Sequence, residues 1–218
     1  MPILYEEMTG RVPIHHLESD WIIRSFVDEV RVSGFYDLFK RLVDILGGLA
    51  GMVILVLLFP FLALAVALDS GFPVFYSQLR LGRGGSIFRI YKFRSMHRKT
   101  EEEVSVHATM ENDPRVTRVG NFLRKSRLDE LPQFWNVLRG DMSLVGPRPE
   151  RPEFTPEFRK EHTGYDIRHT VRPGITGSAQ IHGWRGYTSL EERLRHDIYY
   201  VRNWSLGLDA YVLAMTLV

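Results

Sequence analysis

The sequence predicts an α+β fold, mainly helical, that forms a single membrane-associated domain with a small β-hairpin. Three patterns lead to this prediction: an uncharged run at residues 45–68, two β-type runs at 73–82 and 86–96, and apolar residues at helical spacing in 189–204. The chain has 218 residues. Since a domain averages about 150 residues, we expect one compact unit with appendages.

The composition excludes several classes of function. The 28 Lys and Arg residues nearly balance the 26 Asp and Glu residues, and a net charge of +2 is too small for a surface that coats nucleic acid. No nucleic-acid partner is therefore expected, and any anion site must come from local clustering of cations. The absence of cysteine excludes disulfide frameworks, thiolate metal sites and cysteine nucleophiles. The eight histidines show no metal-ligand spacing.

Residues 45–68 are long enough to cross a membrane. As a helix rising about 1.5 Å per residue, the run would cover a hydrocarbon core of about 30 Å. It is not a cleaved signal peptide, because a long charged segment precedes it. Pro60 lies inside the run and is expected to bend the helix there.

The residues alone leave the path of this segment open. Basic residues stand on both sides of it, which favours a hairpin with both ends on the cytoplasmic side. They are Lys40 and Arg41 before it and Arg80, Arg83, Arg89, Lys92 and Arg94 after it. The alternatives are a single span with a tolerated proline kink and, less compatible with so long an uncharged run, a buried helix of a soluble core.

The later elements follow from spacing and from breaker residues. Helices are predicted at 116–126, at 129–139 with Gly140 ending the second, and at 189–204. In the last helix, aromatic residues at the far end are placed at the lipid headgroups: Tyr199, Tyr200 and Trp204. Residues 97–113 are predicted to form an exposed loop or a short helix, and 144–152 and 171–187 are predicted to be loops. Residues 82–85 are interpreted as a hairpin turn, with an anion-binding nest as the alternative. Phe134 and Trp135 are expected in the core.

Two adjacent carboxylates give the clearest chemical signal. Asp129 and Glu130 precede Pro132, which is tolerated in a first helical turn. There the helix dipole and the nearby Arg124, Lys125 and Arg127 would favour ionised carboxylates and attract phosphate. Neighbouring helical residues diverge by about 100°, so the pair cannot flank a glycosidic bond and one carboxylate must act alone. It would be a nucleophile toward phosphorus or a Mg²⁺ ligand; alternatively, Asp129 is only an N-cap.

Three motifs occur in order after the proline-containing run: YKFRSM at 91–96, NDPRVTRVGNFLRKSRLDELPQFWNVLRGDMSLVGPRP at 112–149, and RPGITGSAQIHG at 172–183. Together they resemble the monotopic bacterial polyprenyl-phosphate phosphoglycosyl transferases. These sugar transferases initiate the assembly of exopolysaccharide, O-antigen and other glycans. The resemblance covers about residues 36–218.

The resemblance implies a two-step, ping-pong reaction. The aspartate of the pair attacks the β-phosphate of a UDP-sugar, expels UMP and holds the sugar phosphate covalently until polyprenyl phosphate accepts it. In this sequence Asp129 would be the nucleophile and a ligand of the Mg²⁺ cofactor, and Glu130 would assist it. The implied substrate-binding residues are Lys92, Arg94, Arg124, Arg148, Arg172 and Arg185.

The resemblance also implies an organisation around the membrane. The segment broken at Pro60 would re-enter, which places the protein on the cytoplasmic face of the bacterial inner (plasma) membrane. We expect a linker and membrane-approaching helix at 1–39, a re-entrant helix at 40–69 and a cytoplasmic catalytic domain at 70–218. Partners would be a UDP-sugar, polyprenyl (undecaprenyl) phosphate and membrane lipids, and a homo-oligomer is compatible with the sequence.

The sequence differs from the family's usual pattern near the acidic pair and resembles longer members at its start. Arg127 stands where the family's commonest motif has serine, so no hydroxyl role is expected there. Residues 4–13 resemble the linker of longer members, and with the apolar end of the chain they suggest the catalytic part of a longer protein that uses glucose or galactose. Judged by residues alone, a module that binds anionic lipid and a hydrolase or glycosyl transferase acting on lipid-linked sugar stay open.

Overall fold

The computed structural model describes residues 34–97, 113–184 and 188–216. Its helices are α1 (Gly34–Ser70), α2 (Arg118–Lys125), α3 (Gln133–Arg139), α4 (Thr155–Glu161), α5 (Ser178–Ile181), α6 (Leu190–Arg202) and α7 (Leu206–Thr216). Its strands are β1 (Phe75–Leu81), β2 (Ile87–Phe93), β3 (Ser143–Val145) and β4 (Gly174–Thr176), and 3₁₀ turns lie at Arg83–Gly85, Leu128–Glu130 and Tyr165–His169. The prediction of a mainly helical α+β fold with a small sheet is confirmed.

The uncharged run lies within α1, a helix of 37 residues. By length and composition, its Asp37–Ser70 part could cross a membrane. Apolar side chains are exposed along its middle, among them Val56, Leu57 and Phe61. The break predicted at Pro60 is not confirmed, because the helix continues through that residue. The predicted approach helix before residue 34 and the segment 98–112 lie outside the described residues.

Polar side chains join the start of α1 to the rest of the domain. Lys40 Nζ donates to Asp209 Oδ2 at 2.6 Å and to the Val145 carbonyl at 3.1 Å. Arg41 donates to the last carbonyls of α3, where a cation complements the helix dipole. The Asp44 carboxylate accepts hydrogen bonds from the Ser143 hydroxyl and the Leu144 amide. The part of the fold that follows α1 is therefore bonded to the first turns of this helix.

The other end of α1 is bonded to the same domain. Asp69 accepts a hydrogen bond from the Val119 amide at 3.0 Å, and Arg94 donates to the carbonyls of Ser70 and Gly71. Between the two ends, Gly51 lies so close to the Phe134 ring that a Cβ would not fit. Both ends and one face of the apolar helix thus contact one folded body.

The predicted β-hairpin is confirmed. Strands β1 and β2 pair antiparallel, with Phe75 opposite Phe93 and Leu81 opposite Ile87. In the turn, the Gly82 amide donates to the Ser86 carbonyl at 2.7 Å, so it is not available to an anion. This bonding agrees with the predicted hairpin turn.

The structure also corrects several local expectations. The helix predicted at 129–139 begins only at Gln133. It ends at Gly140 as predicted, and this glycine has a φ of 90°. Trp135 is 48% exposed and lies outside the core. Tyr200 is not at a lipid surface, because it is buried and its hydroxyl lies within hydrogen-bond distance of Asp209 Oδ1 and of the Val145 carbonyl. Helix α6 begins after its N-cap Ser189 and buries Leu194, Ile198 and Val201, as predicted from its periodicity.

Three further elements complete the core. Strands β3 and β4 lie where loops were predicted, and α7 lies where no element was predicted. Strands β3 and β4 form a parallel pair inside the proline-rich and glycine-rich loops, and α7 follows α6. Val145 of β3, Ile198 of α6 and Val212 of α7 belong to one buried cluster. These elements hold the two loops next to each other.

Candidate active site

Asp129 lies in the 3₁₀ turn between α2 and α3 and is only 7% exposed. It caps neither element, since the N-cap of its own turn is Arg127 and that of α3 is Pro132. The prediction that Asp129 caps or opens a helix is therefore wrong, and so is the alternative in which capping is its whole role. Arg127 adopts a φ of 57°, a conformation that is uncommon for residues with long side chains and turns the chain into the acidic pair.

The two carboxylates of the pair have different environments. Glu130 Oε1 accepts hydrogen bonds from Lys92 Nζ at 2.5 Å and from Arg148 Nη2 at 3.2 Å. Burial would raise the pKa of Glu130, but these two cations outweigh it and hold the pKa well below its usual range. Glu130 is thus an ionised partner that orients two cations.

Asp129 has the opposite shift. Burial raises the pKa of Asp129, Glu130 adds to this effect, and Lys92, Arg124 and Arg148 oppose it. No described residue donates a hydrogen bond to the Asp129 carboxylate: Lys92 and Arg148 donate to Glu130, and Arg124 donates to Ser95. Environments that push the pKa values of two neighbouring carboxyls apart give them separate roles. Asp129 is the member of the pair whose carboxylate accepts no hydrogen bond from a described residue.

Three cations predicted from the sequence converge on the pair. Strand β2 supplies Lys92, whose pKa burial lowers against the pull of Glu130. Helix α2 supplies Arg124, whose Nε donates to the Ser95 hydroxyl at 2.8 Å. The loop after β3 supplies Arg148. Three cations beside a buried carboxylate can neutralise a phosphate group brought to it.

The other predicted binding residues are placed elsewhere. Arg94 is buried at the end of α1, where it donates to main-chain carbonyls. Arg172 Nε donates to the Gly140 carbonyl after α3 at 3.1 Å. Arg185 lies outside the described residues. For these three residues phosphate binding stays a prediction, and for Arg94 and Arg172 the contacts give a structural role.

A buried ionic network behind Arg148 was missed in the sequence. Arg168 Nη2 donates to the Arg148 carbonyl at 2.9 Å and lies 2.8 Å from Asp197 Oδ2. Glu150 Oε1 accepts hydrogen bonds from Arg168 and Arg193. Burial raises the pKa of Asp197 to about 6 even though Arg168 opposes the shift. The network could not be predicted from a local sequence pattern, because its residues are far apart in the chain. Together they hold the loop that carries Arg148 in place.

Comparison with known proteins identifies the family. A family model described as bacterial sugar transferase matches residues 35–218. The chain belongs to the bacterial sugar transferase family. The match includes Asp129, Glu130 and all three cations that converge on them.

Curated relatives of this bacterial sugar transferase family member are named as sugar-phosphate transferases or as an exopolysaccharide production protein. It is 47% identical over 192 residues to a UDP-glucose:undecaprenyl-phosphate glucose-1-phosphate transferase of Escherichia coli, covering 85% of this chain and 40% of the relative. It is 42% identical over 214 residues to an Aeromonas hydrophila UDP-N-acetylgalactosamine-undecaprenyl-phosphate N-acetylgalactosaminephosphotransferase. This alignment covers 97% of this chain and 49% of the relative. The chain thus spans less than half the length of these two relatives. It covers 93% of the exopolysaccharide production protein PSS of Rhizobium leguminosarum, at 39% identity over 193 residues and 82% of this chain.

The carboxylates of the site would suit a Mg²⁺ ion that takes most of its ligands from water and substrate. Within the described ranges, no group of three or more His, Asp or Glu side chains could enclose a metal ion. Mg²⁺, however, is usually held by one or two carboxylates together with waters and substrate phosphates. Of the two carboxylates, Asp129 is the one that would be available to such an ion, because Glu130 is already bonded to Lys92 and Arg148.

Proposed function

We propose that this chain transfers a sugar phosphate from a UDP-sugar to polyprenyl phosphate and releases UMP. The observation that carries the proposal is the buried Asp129 carboxylate, which has no hydrogen-bond donor among the described residues and lies beside Lys92, Arg124 and Arg148. The names of the relatives support the substrate classes. Those names give glucose and N-acetylgalactosamine as donor sugars, and the sequence resemblance favoured glucose or galactose, so UDP derivatives of all three sugars are donors to be tested.

The proposed reaction has two displacements at phosphorus. An Asp129 carboxylate oxygen forms a bond to the β-phosphorus, and the bond from that phosphorus to the bridging oxygen breaks, so the electron pair leaves with UMP. An oxygen of polyprenyl phosphate then bonds to the same phosphorus, and Asp129 leaves as a carboxylate. Lys92 and Arg148, oriented by Glu130, would stabilise the negative charge on the phosphoryl oxygens. Bound Mg²⁺ would supply further charge neutralisation at Asp129.

A product assay tests this function. Purified protein is incubated with radiolabelled UDP-sugar, Mg²⁺ and undecaprenyl phosphate, and UMP and lipid products are measured. We expect UMP and a lipid diphosphosugar in equal amounts, and loss of both on chelation of Mg²⁺. Free sugar phosphate formed without lipid would indicate a hydrolase. Binding of anionic lipid with no turnover of any donor would indicate a binding module. Either result would contradict the proposal.

We also propose that α1 enters the membrane from the cytoplasmic face and returns to it. A straight helix of 37 residues would extend about 55 Å, more than a hydrocarbon core of about 30 Å. Yet Lys40, Asp44 and Asp69 bond to the same domain. A domain on one side of a bilayer holds both ends more readily if the apolar middle dips into the lipid, and Pro60 offers the place for a bend. This arrangement would anchor residues 70–218 as a cytoplasmic catalytic domain.

Cysteine labelling tests the arrangement, and the absence of native cysteine makes it direct. Single variants Leu38→Cys and Phe72→Cys place thiols at exposed positions near the two ends of α1. We expect both to react with a membrane-impermeant reagent only in inside-out vesicles. The control Leu57→Cys, in the apolar middle, should stay unlabelled in either orientation. Labelling of positions 38 and 72 from opposite sides would contradict the hairpin.

A further inference from the structure

A narrow recess next to the acidic pair is lined by a residue whose side-chain donor has no hydrogen-bond partner among the described residues. The lining residues are Arg80, Ile90, Lys92, Glu130, Gln133, Arg148 and Pro149. Gln133 is the first residue of α3 and is only 2% exposed. Its Nε2 has no hydrogen-bond partner in the part of the chain that the structure describes. A buried amide donor without a partner is unfavourable, and a ligand that accepts a hydrogen bond from it would remove this cost.

The charge of the recess indicates what kind of ligand enters. Its lining has three cationic side chains, from Arg80, Lys92 and Arg148, and one carboxylate, from Glu130. Burial lowers the pKa of Arg80 to about 10, and the neighbouring charge of Arg148 adds to this effect. Two further carboxylates act on these cations from outside the lining: Glu150 on Arg80 and Arg148, and Asp129 on Lys92 and Arg148. The lining itself carries more positive than negative charge, and such a lining favours an anion over a neutral group.

Arg80 is already held in place for such a role. Its Nη1 donates to the Pro149 carbonyl at 3.1 Å and its Nη2 to Gln78 Oε1 at 2.7 Å. The Nε of Arg80 has no partner within the described residues. The guanidinium of Arg80 is thus held beside the loop that carries Arg148, and its Nε is left without a partner among the described residues.

The recess has room for about one water-sized group. A sugar ring or a uracil ring is therefore too large, whereas a single oxygen of a phosphate group fits. A water molecule would also fit and would satisfy Gln133, but it would leave the excess of positive charge.

We propose that a phosphoryl oxygen of a substrate enters this recess and accepts a hydrogen bond from Gln133 Nε2, with Arg80 contributing positive charge. The proposal rests on the proposed function, since it adds two substrate-binding residues to that reaction. The oxygen would come either from the diphosphate of the UDP-sugar or from the monophosphate of the lipid acceptor. Both have the same binding chemistry.

Gln133→Leu tests the proposal by removing the donor at nearly constant size. We expect kcat/KM for one substrate to fall about 10- to 100-fold, as for loss of a hydrogen bond to a charged group. The midpoint of thermal unfolding should be unchanged or higher, because a buried donor without a partner is replaced by an apolar group. The control Thr155→Val removes a buried hydroxyl of α4 that donates to the Arg151 carbonyl; it should leave kcat/KM unchanged while lowering the thermal midpoint.

Arg80→Gln supplies a second and independent variant. We expect it to weaken the same substrate as Gln133→Leu. The matched control is Arg89→Gln, since Arg89 is an exposed residue of strand β2 in the same hairpin. Equal effects of the Arg80 and Arg89 variants would contradict a specific role for Arg80.

Two half-reactions identify the source of the oxygen. Exchange of labelled UMP into UDP-sugar without lipid depends only on the donor. If Gln133→Leu slows this exchange, the oxygen belongs to the diphosphate. If exchange is normal and the KM for undecaprenyl phosphate rises, the oxygen belongs to the acceptor. Wild-type kinetic constants for both substrates in Gln133→Leu would overturn the proposal.

A binding measurement separates this proposal from the proposed function. Inorganic pyrophosphate and inorganic phosphate are titrated into wild-type protein and into Gln133→Leu, and the midpoint of thermal unfolding is followed. We expect a rise in the wild type that is reduced in the variant. This result can be obtained even if the wild type proves inactive, in which case only the proposed function fails. The same rise in both proteins, or none in either, would indicate a structural water and overturn the proposal.

Discussion

Asp129→Asn is expected to abolish sugar-phosphate transfer, with a loss on the order of 10³-fold or more, as for removal of other enzymatic nucleophiles. Asparagine has nearly the same size, so the buried turn should keep its shape. Because burial raises the pKa of Asp129, the ionised side chain destabilises the folded state at neutral pH. The neutral amide should therefore leave the thermal midpoint equal to or above that of the wild type. UMP release and thermal unfolding are measured on the same preparation.

The control for this substitution is Asp166→Asn. Asp166 is exposed and pairs with the exposed Arg159, a pair that contributes little to stability. Activity within about twofold of the wild type is expected there, as for surface substitutions away from the site. Near-normal UMP release by Asp129→Asn would exclude Asp129 as the attacking group.

Arg168→Met is expected to produce the largest loss of stability, about 3–5 kcal/mol of the free energy of unfolding. Arg168 is fully surrounded and is paired with Asp197 and Glu150. Methionine would fill much of the space, but it would leave buried carboxylates with less compensation. The loss is measured by chemical denaturation in detergent micelles.

An exposed ion pair gives the comparison for this prediction. Arg159→Met removes the same kind of side chain from the pair with Asp166, and we expect a change of about 0–1 kcal/mol. In the double variant Arg168→Met with Asp197→Leu, part of the lost stability should return, since one uncompensated charge is removed with its partner. Equal effects of Arg168→Met and Arg159→Met would contradict a structural role for the buried network.

The sequence predicted those parts of the fold that depend on short-range patterns. The β-hairpin follows from two β-type runs around glycines, and α6 from the spacing of Leu194, Ile198 and Val201. The parallel pair β3–β4 was missed because its strands have only three residues each and lie in loops rich in proline and glycine. Strand pairing between residues so distant in sequence is a tertiary property.

The candidate site divides in the same way. The motif around Asp129 and Glu130, with Lys92, Arg124 and Arg148, was found in the sequence. The difference between the two carboxylates was not, because it depends on which one Lys92 and Arg148 reach in the folded chain. Gln133 was overlooked for a related reason: its role depends on an unused donor in a buried recess, which only the structure reveals. The 3₁₀ turn at Asp129 was mistaken for the start of α3, since proline is tolerated in both.

The most direct measurement is to trap the covalent intermediate. Protein is incubated with UDP-sugar and Mg²⁺ but without lipid, quenched in acid, digested and analysed by mass spectrometry, while UMP is quantified in the same sample. We predict a sugar-phosphate adduct on the peptide that contains Asp129, with one UMP released for each adduct. An adduct on another residue, or UMP release that requires the lipid acceptor, would contradict nucleophilic attack by Asp129.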